Sequence, residues 1–585
     1  MKLHLKSFYT IILLALLAVP SFGWQSRPVQ EQVSELYELA TQIRADYGSL
    51  SRFYAIRNSP ERRERFQEFF NDYMKKLEAN NFNQLSKSGQ VDYLLIKNYI
   101  EDNLYQLKEE QDEYNAMREW VAFAEPIYGI EKLRRRGKHL NSEEIAAQLD
   151  NISKELAETS AKLKGGSLFP KNLTDRASGI VRGHTQALRS VYEFYNGYDP
   201  EFGWWVTKPY EKLTKELNDY AKLISTKVDP KTQPADDGSG IIGNPIGRVE
   251  LIRQLKQEMI PYTPEELVDI AMKEFAWCDE ELLKASREMG FGDDWRAAQE
   301  KVKMSFVPAG QQPEAMLELY DQSVAFLKDN DLITIPPIAE ETWRMTMIPP
   351  ERQLVSPFFL GGEVLQISYP TDEMEQDDKL MSMRGNNPHF SRSTVHHELI
   401  AGHHLQGFMN DRYKDYRFFR TPFWTEGWAL YWELLLWDMD FPRSPEDRIG
   451  MLFWRMHRCA RIIFSLNYHL GKWTPQQCID YLVDRVGHER ANAEGEVRRS
   501  FTGGYGPLYQ VAYMLGGQQF YALKRELVDS GKMTIKEYHD AVMRENTMPV
   551  EMVRALLTDQ KLTKNFETNW KFYNNQMNVA SMKKY

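Results

Sequence analysis

The chain has 585 residues, 42% of them hydrophobic and 27% charged, with a formal net charge of −10. That length and balance describe a globular protein with room for several cores or one large helical assembly. An acidic sequence with a pI near 5.8 lacks the basic surface that nucleic-acid binding uses, so no nucleic-acid partner is expected. Three cysteines, Cys278, Cys459 and Cys478, are too few for a disulfide framework; Cys459 and Cys478 sit in helical patterns and are expected as buried free thiols.

At the amino terminus, Lys2 and Lys6 flank an apolar run from Ile11 to Val19, followed by Pro20 and the small-x-small sequence Ser21-Phe22-Gly23. These are the three parts of a secretory signal peptide, so residues 1–23 are set apart from the fold and the mature chain is expected to begin near Trp24. An uncleaved anchor is the rival reading, although the apolar core is short for a membrane span. No cysteine stands at the cleavage point, so the chain is read as periplasmic or secreted and not as a lipoprotein. After cleavage, no integral membrane segment is expected.

From Val29 to about Ser225 apolar residues recur every three or four positions, as in Val33, Leu36, Tyr37 and Leu39, the period of amphipathic helices. Asn141 with Glu144, Thr263 with Glu266 and Thr474 with Gln477 each place a capping residue three before an acid or amide, which marks a helix start. Asp229 to Pro245 is rich in Pro, Gly, Asp and Ser and reads as a loop. It separates an N-terminal helical region, 24–240, from a second helical region, 241–585. Within the latter, residues 333–370 have clustered prolines, Gly361-Gly362 and an alternating run from Val364 to Tyr369 that reads as a short strand. Such a strand serves either as an edge that pairs with an extended peptide or as one arm of a plain hairpin.

The chemistry is concentrated in residues 396–431. Four of the twelve histidines, His396, His397, His403 and His404, fall within nine positions around Glu398, and Glu426 follows 28 residues after Glu398. Two imidazoles and a carboxylate are the ligand types of a catalytic zinc site, with a fourth position left open, and a neighbouring glutamate supplies the base. The spacing is unusual. From His397, position i+6 lies roughly 120° off the starting helical face, and i+7 returns to it only about 10.5 Å along the axis. The helix must therefore break between the ligands, at Gly402, or else no metal binds.

The motif His397-Glu398…Gly402-His403-His404-Leu405-Gln406 and the later Glu426-Gly427-Trp428-Ala429-Leu430-Tyr431 resemble the bacterial family catalogued as domain of unknown function 885, with its His-Glu-x-x-Pro-Gly-His-His pattern. The first motif is also similar to the His-Glu-x-x-Gly-His of the dipeptidyl peptidase III family, which keeps a zinc site despite an extra residue. The family's proline is Ala401 here. Arg458, Arg461, His469, Glu496, Arg499 and Tyr513 match further family positions, whereas Ser465, Asn467 and Tyr509 depart from them.

The resemblance implies a mainly α fold of two helical lobes around a deep channel, with a small β element, like that of helical zinc peptidases. The expected function is an exported zinc-dependent hydrolase, most simply a metallopeptidase. His397, His403 and Glu426 would hold Zn2+, and Glu398 would be the general base. Tyr513 and Arg499 are candidates to stabilise the oxyanion, Tyr505 and Tyr509 to contact substrate, and His404 and His469 are spare or second-sphere histidines. A peptide or other amide is the expected partner. Hydrolysis of a non-peptide amide or ester, or binding without catalysis, are the alternatives. A closed structural zinc site would want a fourth ligand, typically cysteine, and none lies near either motif.

Overall fold

Side-chain caps start the helices where the sequence places them. Asn141 accepts from the Glu144 amide, while Thr263 and Thr474 each form a reciprocal capping box, with Glu266 and Gln477. The computed structural model describes residues 33–232, 235–353 and 358–573; the signal-peptide reading of residues 1–23 lies outside them. The described residues are mainly helical, with a single two-stranded sheet. No helix among them is long and apolar enough to cross a membrane.

The helices that matter below are labelled in chain order: α1 (Lys87–Val121), α2 (Lys171–Tyr195), α3 (Pro200–Ser225), α4 (Pro264–Glu288), α5 (Pro388–Glu398), α6 (His403–Asn410), α7 (Pro422–Asp438), α8 (Pro445–His469), α9 (Arg490–Thr502) and α10 (Tyr509–Lys524). In the N-terminal region α2 packs along α3. Their buried stripes, such as Ile180, Leu188 and Val191 against Leu213 and Leu217, form an apolar core of their own. A second core joins α4, α8 and α10. A third gathers residues from the first helices, such as Phe70 and Ile96, with Leu405, Trp428 and Trp432 around α6 and α7. Across that third core Arg417 reaches back to α1, its Nε 2.7 Å from Asp92. The three cysteines are buried and free.

The strand expected from Val364 to Tyr369 is shorter and differently paired. β2 (Val364–Ile367) lies parallel to β1 (Arg344–Met347), in register from Arg344 opposite Val364 to Met347 opposite Ile367. The hairpin reading fails because the turn at Gly361-Gly362 returns only one residue to antiparallel pairing, Leu360 against Gln366.

One helix crossing fixes the site. α7 and α10 pack along each other and touch main chain to main chain. A Cβ on Gly427 would lie 2.5 Å from the Gly516 Cα, and one on Gly516 would lie 2.2 Å from the Phe423 carbonyl oxygen. Glycine is the residue this approach admits.

Candidate metal centre

Helix α5 ends at Glu398, and the chain re-enters helix at His403. Between them the Leu405 amide reaches back to the Leu399 carbonyl at 3.3 Å, so the ladder skips residues where the sequence required a break. Gly402 makes the break possible: a Cβ there would sit 1.8 Å from the His397 carbonyl oxygen. The interruption cancels the 120° offset of an unbroken helix. His397 and His403 then face one another, ring centroids 4.8 Å apart and nearly perpendicular.

Helix α7 brings Glu426 to the same point. Its Oε2 is 3.5 Å from His397 Nε2 and 3.2 Å from His403 Nε2, and one ligand atom from each residue lies within 4.8 Å of the others. This donor set suits a divalent cation such as zinc in ligand type. Bonds of about 2.0–2.1 Å require it to draw together, and His403, the least buried of the three, has the freedom to do so. Glu426 Oε2 supports the fit, since it is buried without a hydrogen-bond partner. Its other oxygen accepts from the Tyr509 hydroxyl at 2.5 Å.

His397 is oriented by a residue whose role was not read from the sequence. Its Nδ1 lies 2.7 Å from Glu433 Oε1, which leaves Nε2 facing Glu426 Oε2. The signal was present, because Glu433 stands seven residues after Glu426 on α7 and so on the same face two turns on. Burial disfavours a charge on His397, but Glu426 and Glu433 outweigh it and raise its pKa to about 9. Burial likewise opposes the charge on Glu426, yet the two imidazoles hold this carboxyl well below the usual range. Glu398 is raised instead, first by burial, against the lowering pull of His397 and His403.

His397, His403, Glu426 and Glu398 line a cavity of about 920 Å³. Tyr505, Tyr509, Tyr513 and Arg499 line it too. The Tyr513 ring stacks at 12° on His397, centroids 6.1 Å apart, and its hydroxyl is 3.4 Å from that of Tyr509. Arg499 lies 2.9 Å from Glu496 and over the Tyr505 ring. His404 and His469 are not brought to the centre. His404 Nε2 donates to the Ala339 carbonyl at 2.7 Å. His469, at the end of α8, is buried with neither ring nitrogen hydrogen-bonded. His396 is buried against Phe441, and burial lowers its pKa to about 4.

The match to known proteins covers most of the chain. It belongs to the family described as "Bacterial protein of unknown function (DUF885)", which matches residues 41–557. No curated protein matches. Two solved structures share the fold. One is of a "putative lipoprotein of unknown function" from Shewanella oneidensis, 17% identical, with a TM-score of 0.65 over 89% of this chain and 99% of that one. The other is of a "putative lipoprotein" from Colwellia psychrerythraea, 15% identical, with a TM-score of 0.58 over 90% of this chain and 98% of that one.

Proposed function

We propose that this protein is an exported zinc-dependent hydrolase that cleaves peptide bonds. The observation that carries the reading is the convergence of His397, His403 and Glu426 across a broken helix at the wall of a large cavity. A histidine spacing that no regular helix can use becomes usable only because the chain breaks between the two imidazoles. When bound, zinc supplies Lewis-acid activation of water and polarisation of the scissile carbonyl.

The remaining work falls to the chain's own side chains. Glu398 follows a ligand directly and lines the cavity without joining the ligand set. It accepts the proton of the attacking water and delivers it to the leaving amine. Tyr513, whose ring lies against His397, is the proposed oxyanion donor. Glu433 and Tyr509 hold His397 and Glu426 in place. The cavity, at about 920 Å³, is at the large end for small-molecule sites, roughly 300–1,000 Å³, which favours a peptide over a small ester. Export rests on the Lys-flanked apolar run and on Ser21-Phe22-Gly23, with the lipoprotein naming of the two similar structures in its support.

Metal analysis of the purified chain, followed by digestion of a peptide library, tests the reading. One equivalent of zinc is expected in the wild type and much less in Glu426→Gln. A zinc-loaded chain that cleaves no peptide in the library rules the peptidase out. Mass measurement of the native amino terminus tests export and shows whether the start is cleaved or lipid-modified.

A further inference from the structure

One end of the cavity carries an excess of positive charge that the steps above do not use. Arg458, Arg461 and Arg499 all line it together with the metal centre, and two carboxylates face them. Arg458 Nη2 is 3.2 Å from Glu433, while Arg461 Nε and Arg499 Nε are 2.7 and 2.9 Å from the two oxygens of Glu496. Glu433 is shared with His397, and Glu496 also accepts from Gln510. By direct contact three guanidiniums therefore meet two carboxylates, with Glu398 also within the field of Arg458, in a place where Arg458 and Arg461 are only 5% and 3% exposed. Burying an unbalanced cation is costly unless something pairs with it.

The unused donors are identifiable. Arg461 Nη1 and Arg458 Nε are buried with no hydrogen-bond partner. Arg417, which lines the cavity as well, is unlike them: its Nε meets Asp92, its Nη1 Glu545 and its Nη2 Ser88. The position of the excess charge is also informative. The Arg461 guanidinium lies 4.4 Å from the centroid of the Tyr513 ring, which stacks on His397 at 6.1 Å. The cluster is thus one aromatic ring removed from the metal ligands. An extended residue spans about 3.3–3.6 Å, so one or two residues bridge that gap.

We infer that the Arg458, Arg461 and Arg499 cluster receives the free carboxylate at the C-terminal end of a peptide, so that the cut releases one or two residues from that end. This specificity rests on the peptidase reading above. Guanidiniums bind carboxylates in a fork geometry that a neutral amide cannot reproduce.

Binding tests it without requiring turnover. In the full chain carrying Glu398→Gln, calorimetry compares an N-acetylated tripeptide acid with its C-terminal amide. The acid is expected to bind tighter by about tenfold to a hundredfold, the worth of a charge-assisted hydrogen bond. Adding Arg499→Gln or Arg461→Lys should bring the two peptides close together, with the folded state of each variant checked by circular dichroism. Equal binding of acid and amide in the Glu398→Gln chain overturns the proposal, whatever the variants do. A third peptide, amidated but with a glutamate as its last residue, separates an end carboxylate from a side-chain one. If it binds as well as the acid, the site reads acidic side chains and the C-terminal assignment is wrong. If the acid preference stands while the zinc-loaded wild type hydrolyses nothing, the carboxylate site survives and the peptidase reading fails.

Discussion

Helices α2 and α8 are both 25 residues long and solve opposite problems. α2 buries one stripe, with Ile180, Val181, Leu188 and Val191 inward and polar residues outward, the ordinary economy of a surface helix. Its buried histidine, His184, is kept neutral, its pKa lowered to about 3 by burial. α8 is buried on every face from Ile449 to His469, and the buried set includes Arg455, His457, Arg458 and Arg461. The buried stripe of α2 is mostly apolar. α8 must satisfy charges inside a protein, and each of its three buried arginines, Arg455, Arg458 and Arg461, lies against a carboxylate from another element: Glu274, Glu433 or Glu496. The comparison teaches that the region around the proposed site spends stability on fixed charge, whereas the N-terminal region accumulates it.

Perturbations that separate the two regions sharpen the contrast. The largest expected effect belongs to Glu398→Gln, which should lower kcat by about 10²–10⁴-fold, the range for a general base, while zinc content and melting temperature stay as in the wild type. A substantial loss of zinc in that variant would instead make Glu398 a ligand. Next comes Glu496→Gln, which leaves Arg461 and Arg499 without their carboxylate. Breaking a buried pair from one side costs roughly 3–5 kcal/mol, to be read by urea unfolding. In α2, Leu188→Ala should cost about 2–5 kcal/mol through a cavity, yet leave zinc content and peptide binding unchanged. A change in zinc affinity there would mean that the two regions are coupled.

The same carboxylate gives the contrast a pH dependence. Burial works against the charge of Glu496, but Arg461 and Arg499 outweigh it and lower its pKa to about 2 from the ordinary 4.5. A depressed carboxyl stabilises the fold fully above the unfolded value and loses that contribution as pH falls toward the folded one. Stability should therefore decline from pH 4.5 down to about 2, and Glu496→Gln should flatten that part of the curve. The smallest effect is at a cap: Thr263→Ala removes the box that starts α4 and should cost about 1 kcal/mol.

What the sequence disclosed follows the range of the forces involved. Asn141, Thr263 and Thr474 were legible as helix starts because a cap acts over three residues. His397, His403 and Glu426 were legible as a set of ligand types, which the fold brings together, and Gly402 as the place of the break, because i+6 spacing contradicts a regular helix. Glu433 was open to the same geometric reasoning and passed over. The Arg461–Glu496 and Arg417–Asp92 pairs span 35 and 325 residues, and no local pattern announces a partner at that distance. The strand illustrates the same limit. Alternation marked β2, but its partner, Arg-Met-Thr-Met at 344–347, is only four residues long and mostly exposed, so pairing and direction came from the fold alone.

The Gly427–Gly516 crossing has a consequence for how this centre can vary. Because two main chains meet there with no side chain between them, the gap between α7 and α10 is set by the thickness of the peptide backbone itself. Glu426 precedes that contact by one residue, and Tyr509 and Tyr513 precede Gly516 on the opposing helix by two turns and one. The carboxylate and the two phenols are thus gauged against each other by a spacer that cannot be made thinner and cannot be enlarged by a single methyl group without displacing all three. Side chains elsewhere in the cavity can be exchanged without touching this contact, but this dimension is not adjustable in small steps.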